Sequence, residues 1–202
     1  MNLSLPPFLI ETSRLFLRPF VSSDFEGYTA YHALPAVYRY LYCDPPAGDA
    51  LKQQFSDLLR AQFMQDGDVF TLAVTRREDG AVLGEVLLKL ASINARQGEV
   101  GYIFNPDFAG SGYATEAVRA IVDLGFAHFG FHRIFARLDA QNAGSSGVVE
   151  RLGFRREAHL IENDCFNGRW GDEYIYARLF SEWQSQARSS SLQARISVSS
   201  AV

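Results

Sequence analysis

Hydrophobic and polar positions change period several times along this chain. Between Asp49 and Gln65, Leu51, Phe55, Leu58, Leu59 and Phe63 fall near one face of a 3.6-residue repeat, which predicts an amphipathic helix. A second helical pattern covers residues 113–128. Its stripe, Ala114, Ala117, Val118, Ile121 and Gly125, is built of small residues that let a helix lie close to a sheet. Shorter helices are predicted over residues 25–33, behind a cap at Ser23-Asp24, and over residues 145–151. Seven runs have strand character: residues 14–20, 70–76, 82–90, 100–104, 133–138, 154–160 and 173–179. Gly80 ends the turn between the second and third. Pro35 and the run Asp44-Pro45-Pro46-Ala47-Gly48 break the chain. The alternation predicts an α/β (α+β) fold, a mixed central sheet of about seven strands flanked by helices, with no internal repeat.

Composition narrows the class. A chain of 202 residues with 48% hydrophobic content can bury one large core. The net charge of −4, with no basic run, gives no drive toward nucleic acid or an anionic membrane. Cys43, Cys165 and four scattered histidines make no metal-ligand spacing, so no metal is expected, and reduced cysteines fit a cytoplasmic protein. The first residues lack the charged and apolar regions of a signal peptide, and no stretch has the length of a membrane span. Residues 1–10 are read as an extension, 11–180 as one domain, and 181–202, rich in Ser, Gln, Ala and Arg, as a mobile or loosely docked tail. A C-terminal helix packed on a neighbouring subunit, making a homodimer, is the alternative for that tail.

The chemistry concentrates at Asn105-Pro106-Asp107-Phe108-Ala109-Gly110-Ser111-Gly112-Tyr113-Ala114-Thr115-Glu116-Ala117. A strand, a glycine turn and a helix start together offer free backbone amides to an anion. A P-loop would need Gly-Lys-Ser/Thr, but Tyr113 and Ala114 follow Gly112. A Rossmann fingerprint would need a third glycine where Thr115 stands. Amides without a lysine or a metal-holding hydroxyl suit a pyrophosphate that is held and not transferred. The same two glycines also fit a plain turn with no ligand.

Downstream, Asp139-Ala140-Gln141-Asn142-Ala143-Gly144-Ser145-Ser146-Gly147-Val148-Val149-Glu150-Arg151-Leu152-Gly153-Phe154 follows a strand-like run. With Gly110-Ser111-Gly112-Tyr113-Ala114-Thr115-Glu116-Ala117 it resembles the GNAT superfamily of N-acetyltransferases. The likeness is closest to its RimJ/RimL branch, the ribosomal-protein N-terminal acetyltransferases. The opening residues 11–20 and the closing residues 172–179 also resemble that branch's first and last strands, so the resemblance spans roughly residues 11–180.

The resemblance implies a GNAT fold, mostly antiparallel, whose fourth and fifth strands (residues 100–104 and 133–138) splay apart. It implies acetyl-CoA as cosubstrate and a primary amine as acceptor, either a protein N-terminus or a small molecule. The pantetheine arm would pair with the edge of residues 100–104. The pyrophosphate would sit on the loop that runs through Phe108, Gly110, Ser111, Gly112, Tyr113 and Ala114. Asp107 stands where the wider superfamily often has Gln or Arg, and is expected to turn outward or cap the loop.

Amine attack on a thioester needs a neutral amine, a donor for the developing oxyanion, and a proton or hydrogen bond for the leaving thiolate. Backbone amides near Ile103 and Phe104 are the expected oxyanion donors. Many superfamily members place a tyrosine at the position of Val149 to serve the thiolate. The branch pattern moves that role to Ser145 and gives Asn142 a hydrogen bond to the cofactor arm. Helix capping and a turn are the plainer roles for these two. Glu99 and Asp164 are the candidate bases, and each alone also fits a solvated carboxylate. Glu116, in a first helical turn, is assigned to the dipole or a local hydrogen bond. Three classes fit these residues: an acetyltransferase, an acyl-CoA-binding module without catalysis, and a nucleotide binder of another kind, against which the absent lysine weighs.

Overall fold

The computed structural model describes Met1, Leu3 and residues 9–186. Eight strands, β1 (Ile10–Glu11), β2 (Leu15–Arg18), β3 (Val69–Arg76), β4 (Val82–Ser92), β5 (Gln97–Phe104), β6 (Arg133–Asp139), β7 (Arg155–Phe166) and β8 (Arg169–Leu179), form one sheet. Their spatial order is β1-β2-β3-β4-β5-β6-β8-β7. The helices are α1 (Phe25–His32), α2 (Pro35–Tyr38), α3 (Asp49–Leu58), α4 (Tyr113–Leu124) and α5 (Ala143–Arg151). The mixed, mostly antiparallel sheet with flanking helices is the expected architecture; the short β1 makes the described strands eight and not seven.

The sheet is interrupted at the junction of β5 and β6. They pair in parallel only at Gln97↔Arg133, Gly98↔Ile134 and Glu99↔Phe135. Beyond Glu99, β5 stays on β4 as far as Phe104, and β6 stays on β8 as far as Asp139. The two strands therefore part as expected, and β5 keeps an edge whose backbone groups lack a strand partner on that side.

Each face of the sheet carries its own core. The larger cluster joins Leu15, Leu17, Leu88 and Val100 to Ala117, Val118 and Ile121 of the small-residue stripe on α4. The smaller joins Phe20, Tyr28, Tyr31, Leu51, Phe55 and Ala73, with Ile103 packed against it. Alternation along β5 therefore sends Tyr102 to the α4 face and Glu99 and Ile103 to the α1–α3 face.

Several boundaries differ from the sequence reading. The helix expected over residues 49–65 ends at Leu58. Phe63 leaves it to pack against Phe70 and Phe129, at 5.7 and 4.9 Å between ring centres. Burying a phenylalanine contributes about 1.5–3 kcal/mol, which outweighs the few tenths that separate most residues in helix propensity. The Asp68 carboxylate accepts from the freed amides of Met64 and Gln65. Asp24 takes the N-cap position of α1 as expected, but its carboxylate makes no cap bond there and turns back to the Val21 amide and the Arg18 guanidinium. The last two strands lengthen into one hairpin, closed by Asn167-Gly168 with φ of 51° and 72°. Asp164 thus lies on β7 and not in a loop. Residues 180–186 are helical, and Trp183 docks on the domain, donating from Nε1 to Asp123 at 2.6 Å. Residues 187–202 of the expected tail lie outside the described residues.

Candidate active site

At the end of β5 the chain enters the glycine loop through Asn105, whose Oδ1 accepts from the Asp107 amide at 3.0 Å. Asp107 itself is exposed, as expected of a carboxylate kept away from an anion site. Gly110 and Gly112 adopt φ of 77° and 78°, a left-handed conformation that a side chain makes costly. Gly112 stands immediately before α4, and no side chain caps the helix there. The amides of its first turn are left to an outside acceptor.

These amides open onto a cavity of about 710 Å³. Ile103, Phe104 and Phe108 form one wall, and Gly110, Gly112, Tyr113 and Ala114 form the loop side. Asn142 and Ser145 close it from α5. Nine residues proposed from sequence thus meet around one space. Ser111 does not line it; its carbonyl accepts from Arg14 Nη1 at 2.9 Å. The Asn142 side chain caps α5 by accepting from the Ser145 amide at 3.0 Å, which leaves the Ser145 hydroxyl free of that duty. Ser146, its neighbour, is not on the cavity wall and turns toward Tyr176.

The cavity also has walls beyond these nine residues. Val37, Tyr40 and Leu41 approach from α2 and the segment after it, and Arg151 from α5. Tyr102 enters from β5, donating its hydroxyl to the Ser145 carbonyl at 2.9 Å. Burial raises the Tyr102 phenol, opposed by its Ser145 partner and the Arg151 charge, so it keeps its proton near neutrality. Arg151 also borders a second cavity of about 730 Å³ along α4, which shares Gly112 and Thr115 with the first and adds Arg119. Arg14 stacks its guanidinium 4.6 Å from the centre of the Tyr113 ring. Cationic side chains thus surround the loop although the chain as a whole is acidic.

Glu116 is a structural clip. Its carboxylate accepts from Thr12 Oγ1 at 2.6 Å, Ser13 Oγ at 2.9 Å, and Arg14 N and Nε at 2.9 and 2.7 Å. Burial works against the charge, but these bonds outweigh it and pull the carboxyl down to about 2. The turn between β1 and β2 is thereby fastened to the first turn of α4.

Glu99 and Asp164 are absent from the cavity wall. They belong to a group of carboxylates on the α1–α3 face. Arg137 Nε lies 2.9 Å from Glu99 and 3.7 Å from Glu173. Burial raises the Glu173 carboxyl, with Asp164 and Glu99 adding to the effect against the pull of Arg137. Tyr42 reaches in from the segment after α2 and donates to Asp139 at 2.6 Å. A Cβ on Gly171 would lie 2.0 Å from the Tyr42 hydroxyl, so this approach requires glycine there. One further polar network lies beneath Ile103: Glu85, its partner across β4 and β5, accepts from Tyr31 at 3.0 Å and stands 3.3 Å from His32 Nε2. Among the described residues no group of His, Cys, Asp and Glu could hold a metal ion, and no helix is long and apolar enough to cross a membrane.

Known proteins share this fold. Residues 14–155 match the family described as the acetyltransferase (GNAT) domain. The chain is 28% identical over 174 residues to the uncharacterized N-acetyltransferase YnaD of Bacillus subtilis, a match that covers 86% of this chain and 98% of that protein. A GNAT-family acetyltransferase structure from Bacillus anthracis superposes with a TM-score of 0.78 at 26% identity, covering 87% of this chain and all of that one. The spermidine N-acetyltransferase of Vibrio cholerae, solved with CoA and spermine, has the same fold with a TM-score of 0.74 at 22% identity, covering 86% of this chain and 99% of that one. With its splayed sheet, glycine loop and family match over most of its length, this chain belongs to the GNAT family and is an N-acetyltransferase.

Proposed function

We propose that the protein transfers the acetyl group of acetyl-CoA to a primary amine by direct attack, with both substrates bound at once. One observation carries this reading: the edge of β5 left by the divergence from β6 and the uncapped amides of α4 face a single cavity. Gly110, Gly112, Tyr113 and Ala114 hold the pyrophosphate through main-chain N–H groups, with Phe108 beside them. Arg119 and Arg151 in the adjoining cavity offer positive charge to the nucleotide end. The pantetheine amides pair with β5 beyond Glu99, as an added strand would. Amides at Ile103 and Phe104 receive the developing oxyanion. Ser145 serves the departing sulfur, and Asn142 holds the turn that presents it.

The acceptor approaches from the α1–α3 face, where Glu99 and Asp164 receive its proton through water. An N-terminal α-amine, with an ordinary pKa of about 7.7–8.0, needs little help near neutral pH, whereas a lysine amine near about 10.4 needs far more. The RimJ/RimL-like motifs favour a protein N-terminus. The gathering of Glu99, Asp164 and Glu173 around Arg137, with Asp139 beside them at Tyr42, favours a second reading, a small polycationic amine drawn by that charge.

A panel of acceptors read by release of free CoA tests this. It should contain peptides with different first residues, amino acids, polyamines and aminoglycosides. Turnover with peptides alone supports the N-terminal reading, and turnover with polyamines alone the second. No CoA release with any amine, despite tight acetyl-CoA binding, would leave only a binding module.

A further inference from the structure

We infer that Tyr102 is a catalytic residue of this acetyltransferase, a hydrogen-bond donor to the sulfur that leaves when the amide forms. The inference rests on the acetyl-CoA reading above and extends it.

The superfamily position for a thiolate-serving tyrosine is Val149, which is fully buried and offers no donor. Ser145 alone would then face the sulfur. Tyr102, however, points toward the same cavity from the opposite side of the gap, its hydroxyl 2.9 Å from the Ser145 carbonyl. It lies three residues past Glu99, where β5 and β6 cease to pair, and one residue before Ile103, where the oxyanion donors are placed. It is half-buried, and its hydroxyl is held at Ser145, by the carbonyl at 2.9 Å with the Ser145 side chain beside it. That carbonyl belongs to the first turn of α5 and is neutral.

As the amine nitrogen bonds to the acetyl carbon, the carbon–sulfur bond breaks and sulfur keeps the electron pair. The proton shed by the amine finally makes the free thiol of CoA, so Tyr102 gains and loses no proton overall. Rotation of its O–H away from the neutral carbonyl and onto the charged sulfur is favourable, because hydrogen bonds to an ionised acceptor are roughly twice as strong as neutral ones. Burial holds the phenol protonated, so it donates throughout the pH range of an assay.

The thiol of bound CoA provides the test. The thiolate absorbs in the ultraviolet, so its midpoint can be titrated in saturated complexes of wild type and Tyr102→Phe. A donor to sulfur lowers that midpoint. The variant should raise it by about one pH unit, and kcat should fall roughly tenfold to a hundredfold with KM for acetyl-CoA nearly unchanged. A hydroxyl that merely steadies α5 would leave the midpoint where it was. Placing 3-fluorotyrosine at position 102 keeps the shape, strengthens the donor and should move the midpoint the other way, so the test survives a poorly folding Phe variant. An identical midpoint in all three proteins, with CoA bound, overturns the role of Tyr102. Failure of the wild type to bind CoA overturns the reading of the cavity instead.

Discussion

The two sides of the gap between β5 and β6 are made of different material. The side proposed for the cofactor is main chain: an unpaired strand edge, two left-handed glycines and the bare start of α4. The side proposed for the acceptor is side chain: four carboxylates, Arg137 and the Tyr42 hydroxyl, brought together from two strands, a hairpin and a connecting segment. A main-chain site depends on local conformation and tolerates side-chain changes that leave it intact. A side-chain site depends on charge and tolerates little.

Substitutions can break or sharpen that contrast. Gly112→Val should have the largest effect. It puts a β-branched residue at φ 78° and blocks the approach to the amides, with strain of about 1–3 kcal/mol. KM for acetyl-CoA should rise roughly a hundredfold, as read by CoA release. A KM within a few-fold of wild type would count against a main-chain site.

Glu116→Gln comes next and acts on stability. Losing hydrogen bonds to an ionised carboxylate should cost about 2–3 kcal/mol at pH 7, as read by denaturant unfolding. The folded carboxyl titrates at about 2 against an ordinary value of 4.5, so its contribution is present above pH 4.5 and is lost as pH falls toward 2. The stability curves of variant and wild type should converge over that window. A constant gap would assign the cost to packing and not to charge.

Asp164→Asn probes the other side. KM for a cationic acceptor should rise several-fold at low salt, and less so at high salt because exposed charges are screened. KM for acetyl-CoA should not move. Ser111→Ala should do least, changing KM for acetyl-CoA by less than about twofold, since one exposed side chain contributes within about 0.5 kcal/mol. A large effect from Ser111→Ala would mean that the cofactor side is not built from main chain alone.

The same contrast explains what could be read from sequence. Gly110, Gly112 and the apolar stripe beginning at Ala114 lie within a few residues of each other, so local conformational preferences announce the loop and α4. The carboxylates at 99, 139, 164 and 173 are far apart in the chain, and only strand order and register bring them together. Glu99 and Asp164 were recognisable one at a time, but not as neighbours of Arg137 and Glu173. Tyr102 looked like an ordinary strand residue, because alternation tells which face it takes and not what its hydroxyl meets. The helix predicted past Leu58 overran because Phe63 continued the apolar period while tertiary burial drew it elsewhere. Asn167-Gly168 carried a hairpin signal for β7 and β8, and that signal was available in the sequence.

A structure of the protein crystallised with CoA would test the central claim most directly. Pyrophosphate oxygens within hydrogen-bond distance of the amides between Gly110 and Ala114, with pantetheine amides paired to β5 beyond Glu99, are the predicted result. A nucleotide bound elsewhere, with those amides left to water, would contradict it.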